Sequence, residues 1–168
     1  NELEIDEILY KKDKMKRGLI EGKYYFEGNN LIKVENLTLI ADDIVLIGNI
    51  FLNKEGYLQK IDITEFMREL DNYKAAISFQ QDDNFRLFIK GNSININNYF
   101  SDSNDDSTNG TIDIETDNFF LNGLNIGSVK LSSVIKNNEI NKLLGDIYHQ
   151  DKSYVSFKYN YDSSDFSK

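Results

Sequence analysis

Phe85-Arg86-Leu87-Phe88-Ile89-Lys90-Gly91-Asn92-Ser93-Ile94-Asn95-Ile96-Asn97-Asn98-Tyr99-Phe100 is the stretch from which the chain is best read. Phe85, Leu87 and Ile89 fall on one side of a period of two, with Arg86, Phe88 and Lys90 on the other, and Ile94 and Ile96 resume the alternation out of phase, so the segment reads as a strand with a break at Gly91. A glycine without a Cβ admits a bulge, and Asn92-Ser93 can hydrogen-bond the backbone that a bulge leaves unpaired. The strand is interrupted there, not ended.

The same grammar extends in both directions. Tyr24 and Phe26 lead into a turn at Glu27-Gly28-Asn29-Asn30, and Leu37, Leu39 and Ala41 lead into Asp42-Asp43. Ile44-Val45-Leu46-Ile47 is apolar on both faces, which predicts a strand covered on both sides. Gly48-Asn49 breaks its phase, and Asn53-Lys54-Glu55-Gly56 closes a hairpin onto Leu58, Ile61 and Ile63. Thr64 to Leu70 fits one capped helical turn. Ala75, Ile77 and Phe79 restore the period of two, and Gln80 to Asn84 turns the chain into the central stretch.

Beyond it, Ser101 to Gly110 is too polar to offset its ordering entropy by burial and reads as a flexible loop without the spaced ligands of a calcium site. Ile112 and Ile114, then Phe119 and Leu121, precede a turn at Asn122-Gly123, followed by Leu124, Ile126, Val129 and Leu131. Ile140, Leu143, Leu144 and Ile147 fit a helical face as well as a strand, and their neighbours favour the strand. Val155, Phe157, Tyr159 and Tyr161 alternate with Ser156, Lys158 and Asn160. Hairpins that follow one another without a crossover helix indicate an all-β antiparallel meander. The expected organisation is a linker over residues 1–21, a β domain over 22–161 and a tail over 162–168, the whole being a piece of a longer protein.

Composition narrows the functional classes. A net charge of -9, with 19 basic residues scattered among 28 acidic ones, speaks against a nucleic-acid partner. There is no cysteine, so neither a disulfide framework nor a thiolate metal site can form, and no apolar run is long enough to span a membrane as a helix. The single histidine, His149, lies beside a turn and reads as an exposed hairpin residue. No Gly-x-Ser-x-Gly elbow and no phosphate-cradling glycine loop occur, and the pairs Asp42-Asp43, Asp82-Asp83 and Asp105-Asp106 fall in turns. These features predict a non-enzymatic module that needs no cofactor and no metal.

Taken in order, several segments resemble the C-terminal region of the AsmA-like family, in particular its YhdP-like members. They are Gly48-Asn49-Ile50-Phe51-Leu52 with Gly56 to Ile63, the central stretch Phe85 to Phe100, Gly110-Thr111-Ile112-Asp113-Ile114, Asn122 to Ile126, and Val155-Ser156-Phe157. The resemblance implies a twisted, elongated sheet curled into a groove with an apolar inside. It also implies a periplasmic protein of the Gram-negative cell envelope, anchored to the inner membrane by an upstream transmembrane helix and carrying phospholipid acyl chains between membranes. Neighbouring domains of the same chain would extend the sheet. Strands apolar on both faces fit such a groove, with Val45, Ile47, Phe51 and Phe88 as its expected lining. They fit equally a β-sandwich binding or adhesion module, in which a second sheet covers the second face.

Overall fold

A computed structural model describes residues 3–5, 10–12, 18–80, 84–98, 109–149 and 152–161. Two short strands, β1 (Leu3–Ile5) and β2 (Tyr10–Lys12), pair with each other. The other strands form one 11-stranded sheet. In chain order these are β3 (Gly18–Glu27), β4 (Asn30–Ala41), β5 (Ile44–Leu52), β6 (Leu58–Arg68), β7 (Asp71–Phe79), β8 (Asn84–Asn95), β9 (Asn109–Leu121), β10 (Leu124–Asn125), β11 (Ser128–Lys136), β12 (Glu139–Tyr148) and β13 (Tyr154–Asn160). The order across the sheet follows the chain from β3 to β13, with the short β10 paired to the end of β9. The all-β class and the single groove-like sheet are therefore as expected, and among the described residues the strands beyond the short β1–β2 pair all belong to that one sheet, not to the two layers of a sandwich.

The turns form where the sequence supplies residues that accept positive φ. Gly28 (φ 62) closes β3 onto β4, Asp42 (φ 51) closes β4 onto β5, and Asn122-Gly123 (φ 50 and 77) closes β9 onto β10. In the β5–β6 loop, Gly56 stands at φ 90, and the Asn53 side-chain oxygen accepts hydrogen bonds from the Glu55 and Tyr57 amides at 3.0 and 2.9 Å.

Four expectations are corrected. Residues 18–21 belong to β3, so the sheet begins ahead of Gly22. Residues 64–68 continue β6 as strand and only Glu69-Leu70 turn, because a bulge between Ile63 and Phe66 shifts the strand by one residue. That shift keeps Ile63 and Phe66, three residues apart, on one face of the strand. Ile44 is buried, but Val45, Leu46 and Ile47 remain half-buried, since a single sheet does not cover both faces of β5.

The fourth concerns the meander. Every neighbouring pair in the sheet is antiparallel except β8 and β9, which run parallel from Asn84↔Asn109 to Asn95↔Phe120. The connection over residues 96–108 has the dozen or so residues that a parallel return needs. The expected loop at 101–110 lies outside the described residues as far as 108, while Asn109 and Gly110 already belong to β9. The expected tail at 162–168 also lies outside them.

The break at Gly91 is a bulge, since Tyr73 pairs with Gly91 but Asn72 with Ser93, leaving Asn92 extra. Here a glycine is required by close approach, because a Cβ would fall against the carbonyl oxygen of Asn72 and the Cα of Tyr73. Similar shifts occur between β3 and β4, β4 and β5, β5 and β6, β6 and β7, and β11 and β12. Register shifts at six of the nine interfaces along the main path increase strand twist and bend the sheet. The curvature lets one face bury its own side chains, with Phe66 at 1% exposure and Ile94 at 0% in a cluster reaching from β4 to β9.

Candidate functional site

Pairing register assigns side chains to faces, because directly opposed residues share a face. One row crosses all ten strands of the main path: Ile20, Leu39, Leu46, Phe66, Tyr73, Gly91, Thr116, Val129, Ile147 and Val155. A parallel row runs from Tyr24 and Val34 through Ile50, Ile61, Ile77, Leu87 and Ile112 to Ser133, Leu143 and Tyr159. Between them lies a third, from Leu37 through Ile63, Ala75, Ile89, Ile114 and Leu131 to Phe157. Apart from glycines, Thr116 and Ser133, these rows carry apolar or aromatic side chains from edge to edge. This apolar face is the candidate site.

Its centre is the better packed part. The rings of Phe66 and Tyr73, cross-strand partners, stack with centroids 4.8 Å apart. Towards the edges the same face opens, with Ile20 and Tyr24 on β3 at 56% and 53% exposure and Val155 and Tyr159 on β13 at 55% and 48%. Gly145 lies under the ring of its partner Phe157, and Gly110 under that of Phe85, with Phe85 Cδ1 2.5 Å from where a Cβ would stand. Aromatic rings thus fill the gaps that cross-strand glycines leave.

One polar group lies deep at the end of this face near the β6–β7 turn. The Asp71 carboxylate, 1% exposed, accepts hydrogen bonds from the Asn95 amide at 2.6 Å and from the Asn98 side chain at 2.8 Å. It thereby ties the 3-10 turn at Ile96–Asn98 to the end of the sheet.

The opposite face is charged. Lys90 pairs with Glu115 at 3.2 Å and Lys130 with the same carboxylate at 3.8 Å, along one row across β8, β9 and β11. Arg86 and Asp113 lie 3.7 Å apart. The Lys90 hydrogen bond, helped by the charge of Lys130, holds the Glu115 carboxyl below the usual carboxylate range. On β4 the hydrogen bond from Lys33 and that from Tyr25, at 2.6 Å, do the same for Glu35, and the bond to Glu35 raises the Tyr25 phenol.

Val45, Ile47, Phe51 and Phe88 share this charged face. Val45 pairs with Ile40 and Met67, Ile47 with Thr38 and Glu65, Phe51 with Lys33 and Lys60, and Phe88 with Ala76 and Asp113. Phe51 lies between two ammonium groups, 5.3 Å from Lys33 Nζ and 5.7 Å from Lys60 Nζ. The structure puts the four residues on one side, but the side opposite the apolar rows. In the apolar rows, Ile61, Ile77 and Leu131 have to be read from strand register, and that depends on where each bulge falls.

His149 is exposed beside the last hairpin turn, where its carbonyl accepts the Lys152 amide at 2.9 Å. Among the described residues no group of three or more His, Cys, Asp or Glu side chains is placed to hold a metal ion, and no helix is long and apolar enough to cross a membrane.

Compared with protein-family models, curated proteins and solved structures, the chain has no significant match.

Proposed function

We propose that this chain is a non-enzymatic groove module that shelters phospholipid acyl chains on the apolar face of its curled sheet. The supporting observation is the set of apolar rows running without a charged residue from β3 to β13. A trough of this kind lowers the cost of holding an acyl chain in water by about 0.8 kcal/mol for each buried CH₂, and it needs no catalytic group. The ion pairs on the opposite face suit it to water. The proposal includes the AsmA-like setting: a periplasmic segment of an envelope protein anchored by an upstream helix, with neighbouring domains of the same chain continuing the sheet. The exposed apolar residues at both edge strands support that continuation.

The test is mass spectrometry of lipids that co-purify with the chain. Phospholipid is expected on the wild type and on Phe88→Asp, and is expected to be lost from Ile77→Asp. Because Ile77→Asp sets a charge in the middle of the sheet at a cost to folding, Tyr159→Asp at the exposed flank serves as a second blocking variant, with circular dichroism confirming the sheet. A lipid-free wild type, or loss of lipid from Phe88→Asp but not from folded Tyr159→Asp, overturns the proposal.

A further inference from the structure

The charged face is not uniformly flat. The bulge in β6 between Ile63 and Phe66 and the bulge in β8 at Asn92 lie on either side of β7. Between them the surface sinks into a depression of about 720 Å³, a size that suits a small ligand. Ala76 gives it a low floor, and Phe88, 43% exposed, forms one wall.

At the centre of that face lysines and carboxylates pair with one another, as in Lys90 with Glu115, Lys60 with Asp62 and Arg86 with Asp113. Around the depression, the side chains of Asn72, Asn92, Lys74 and Glu65 make no hydrogen bond or ion pair among the described residues. Since Lys90 on the rim is paired with Glu115, the unpaired charges are one cation, Lys74, and one anion, Glu65.

We propose that the depression between β6, β7 and β8 is a saccharide-binding site that takes a neutral pyranose, stacked on Phe88 and hydrogen-bonded by Asn72, Asn92, Lys74 and Glu65. A pyranose has an apolar C–H face and a rim of hydroxyls, each both donor and acceptor. The site offers an aromatic wall, two amides that donate and accept, a donor ammonium and an acceptor carboxylate. A free carboxylate or phosphate would meet Glu65 as well as Lys74. An acyl chain would bury the two amides without partners, at a cost that its own burial would have to offset. The site lies on the opposite face from the acyl-chain trough and does not depend on it.

The test is saturation-transfer NMR with methyl β-glucopyranoside, methyl β-galactopyranoside and N-acetylglucosamine, combined with amide shift mapping. Transfer to ring protons is expected for at least one sugar, with shifts at the Lys74 and Lys90 amides. Phe88→Ala and Asn92→Ala should each weaken binding about tenfold, as expected when a stacking or hydrogen-bonding partner is removed. Both side chains are exposed, so both variants are expected to fold, and an unchanged thermal midpoint checks this. Absence of transfer from all three sugars overturns the proposal, as does undiminished transfer to folded Phe88→Ala. Shifts of the same amides by decanoate, with none by the sugars, would reassign the depression to an amphiphile.

Discussion

Phe66 and Phe51 lie on adjacent strands of one sheet, yet they meet different surroundings. Phe66 on β6 is buried among Leu39, Ile44 and Tyr73 and stacks on the last of these. Phe51 on β5 points to the other side and rests between the ammonium groups of Lys33 and Lys60. One ring belongs to a core built by curvature, and the other sits in a lattice of surface charges. In a single-layer sheet, then, a phenylalanine's role is set by which face its register selects.

The largest expected difference follows directly. Phe66→Ala should cost about 3–5 kcal/mol in urea unfolding, as for other buried aromatic truncations, and Phe51→Ala about 1 kcal/mol or less. Equal losses would show that the two faces are packed alike. Next comes the buried carboxylate at the end of the apolar face. Asp71→Ala strands the Asn95 amide and the Asn98 side chain and should cost about 1.5–3 kcal/mol, read by the same unfolding experiment. A neutral effect would mean that the tie to the 3-10 turn adds nothing to stability.

Gly91→Ala tests the bulge that separates the two phases of β8. Its Cβ would press on the backbone of β7, so a loss of about 1–3 kcal/mol is expected. A stability like that of the wild type would show that β7 yields freely there.

The smallest effect belongs to the charged face. Glu115 has a lowered carboxyl pKa in the fold, first through its hydrogen bond to Lys90. Its contribution is therefore present above the unfolded-state pKa and is lost as pH falls through the lower folded value. Lys90→Met should make the thermal midpoint less sensitive to acid, an effect that shrinks with added salt because the pair is exposed. An acid limb identical in the two proteins would remove Lys90 as the cause.

Much of the fold was legible because strand alternation and turn chemistry are local. Gly28, Asp42, Gly56 and Asn122-Gly123 mark turns that form where they stand, and Gly91 marks a bulge. Where a strand carried helix-like spacing, a bulge was the reason. In β6 a one-residue slip after Ile63 interrupted the period of two over Thr64 to Leu70, the stretch that fits a capped helical turn. In β12 the irregularity beside Ile140 did the same for Ile140, Leu143, Leu144 and Ile147, and there only the neighbouring strands favoured the correct assignment.

The candidate site was less legible than the fold. Val45, Ile47, Phe51 and Phe88 are apolar residues with apolar neighbours, and the sequence identifies them as unusual for a water-facing position. A period of two distinguishes two faces without saying which one the sheet will curl around. By itself the sequence determined an all-β chain, its turns and most of its strands, because each depends on a few adjacent residues. Only the tertiary structure decided the parallel junction of β8 with β9 and the inward face, because both depend on hydrogen-bond partners far apart in the chain and on curvature accumulated over many bulges.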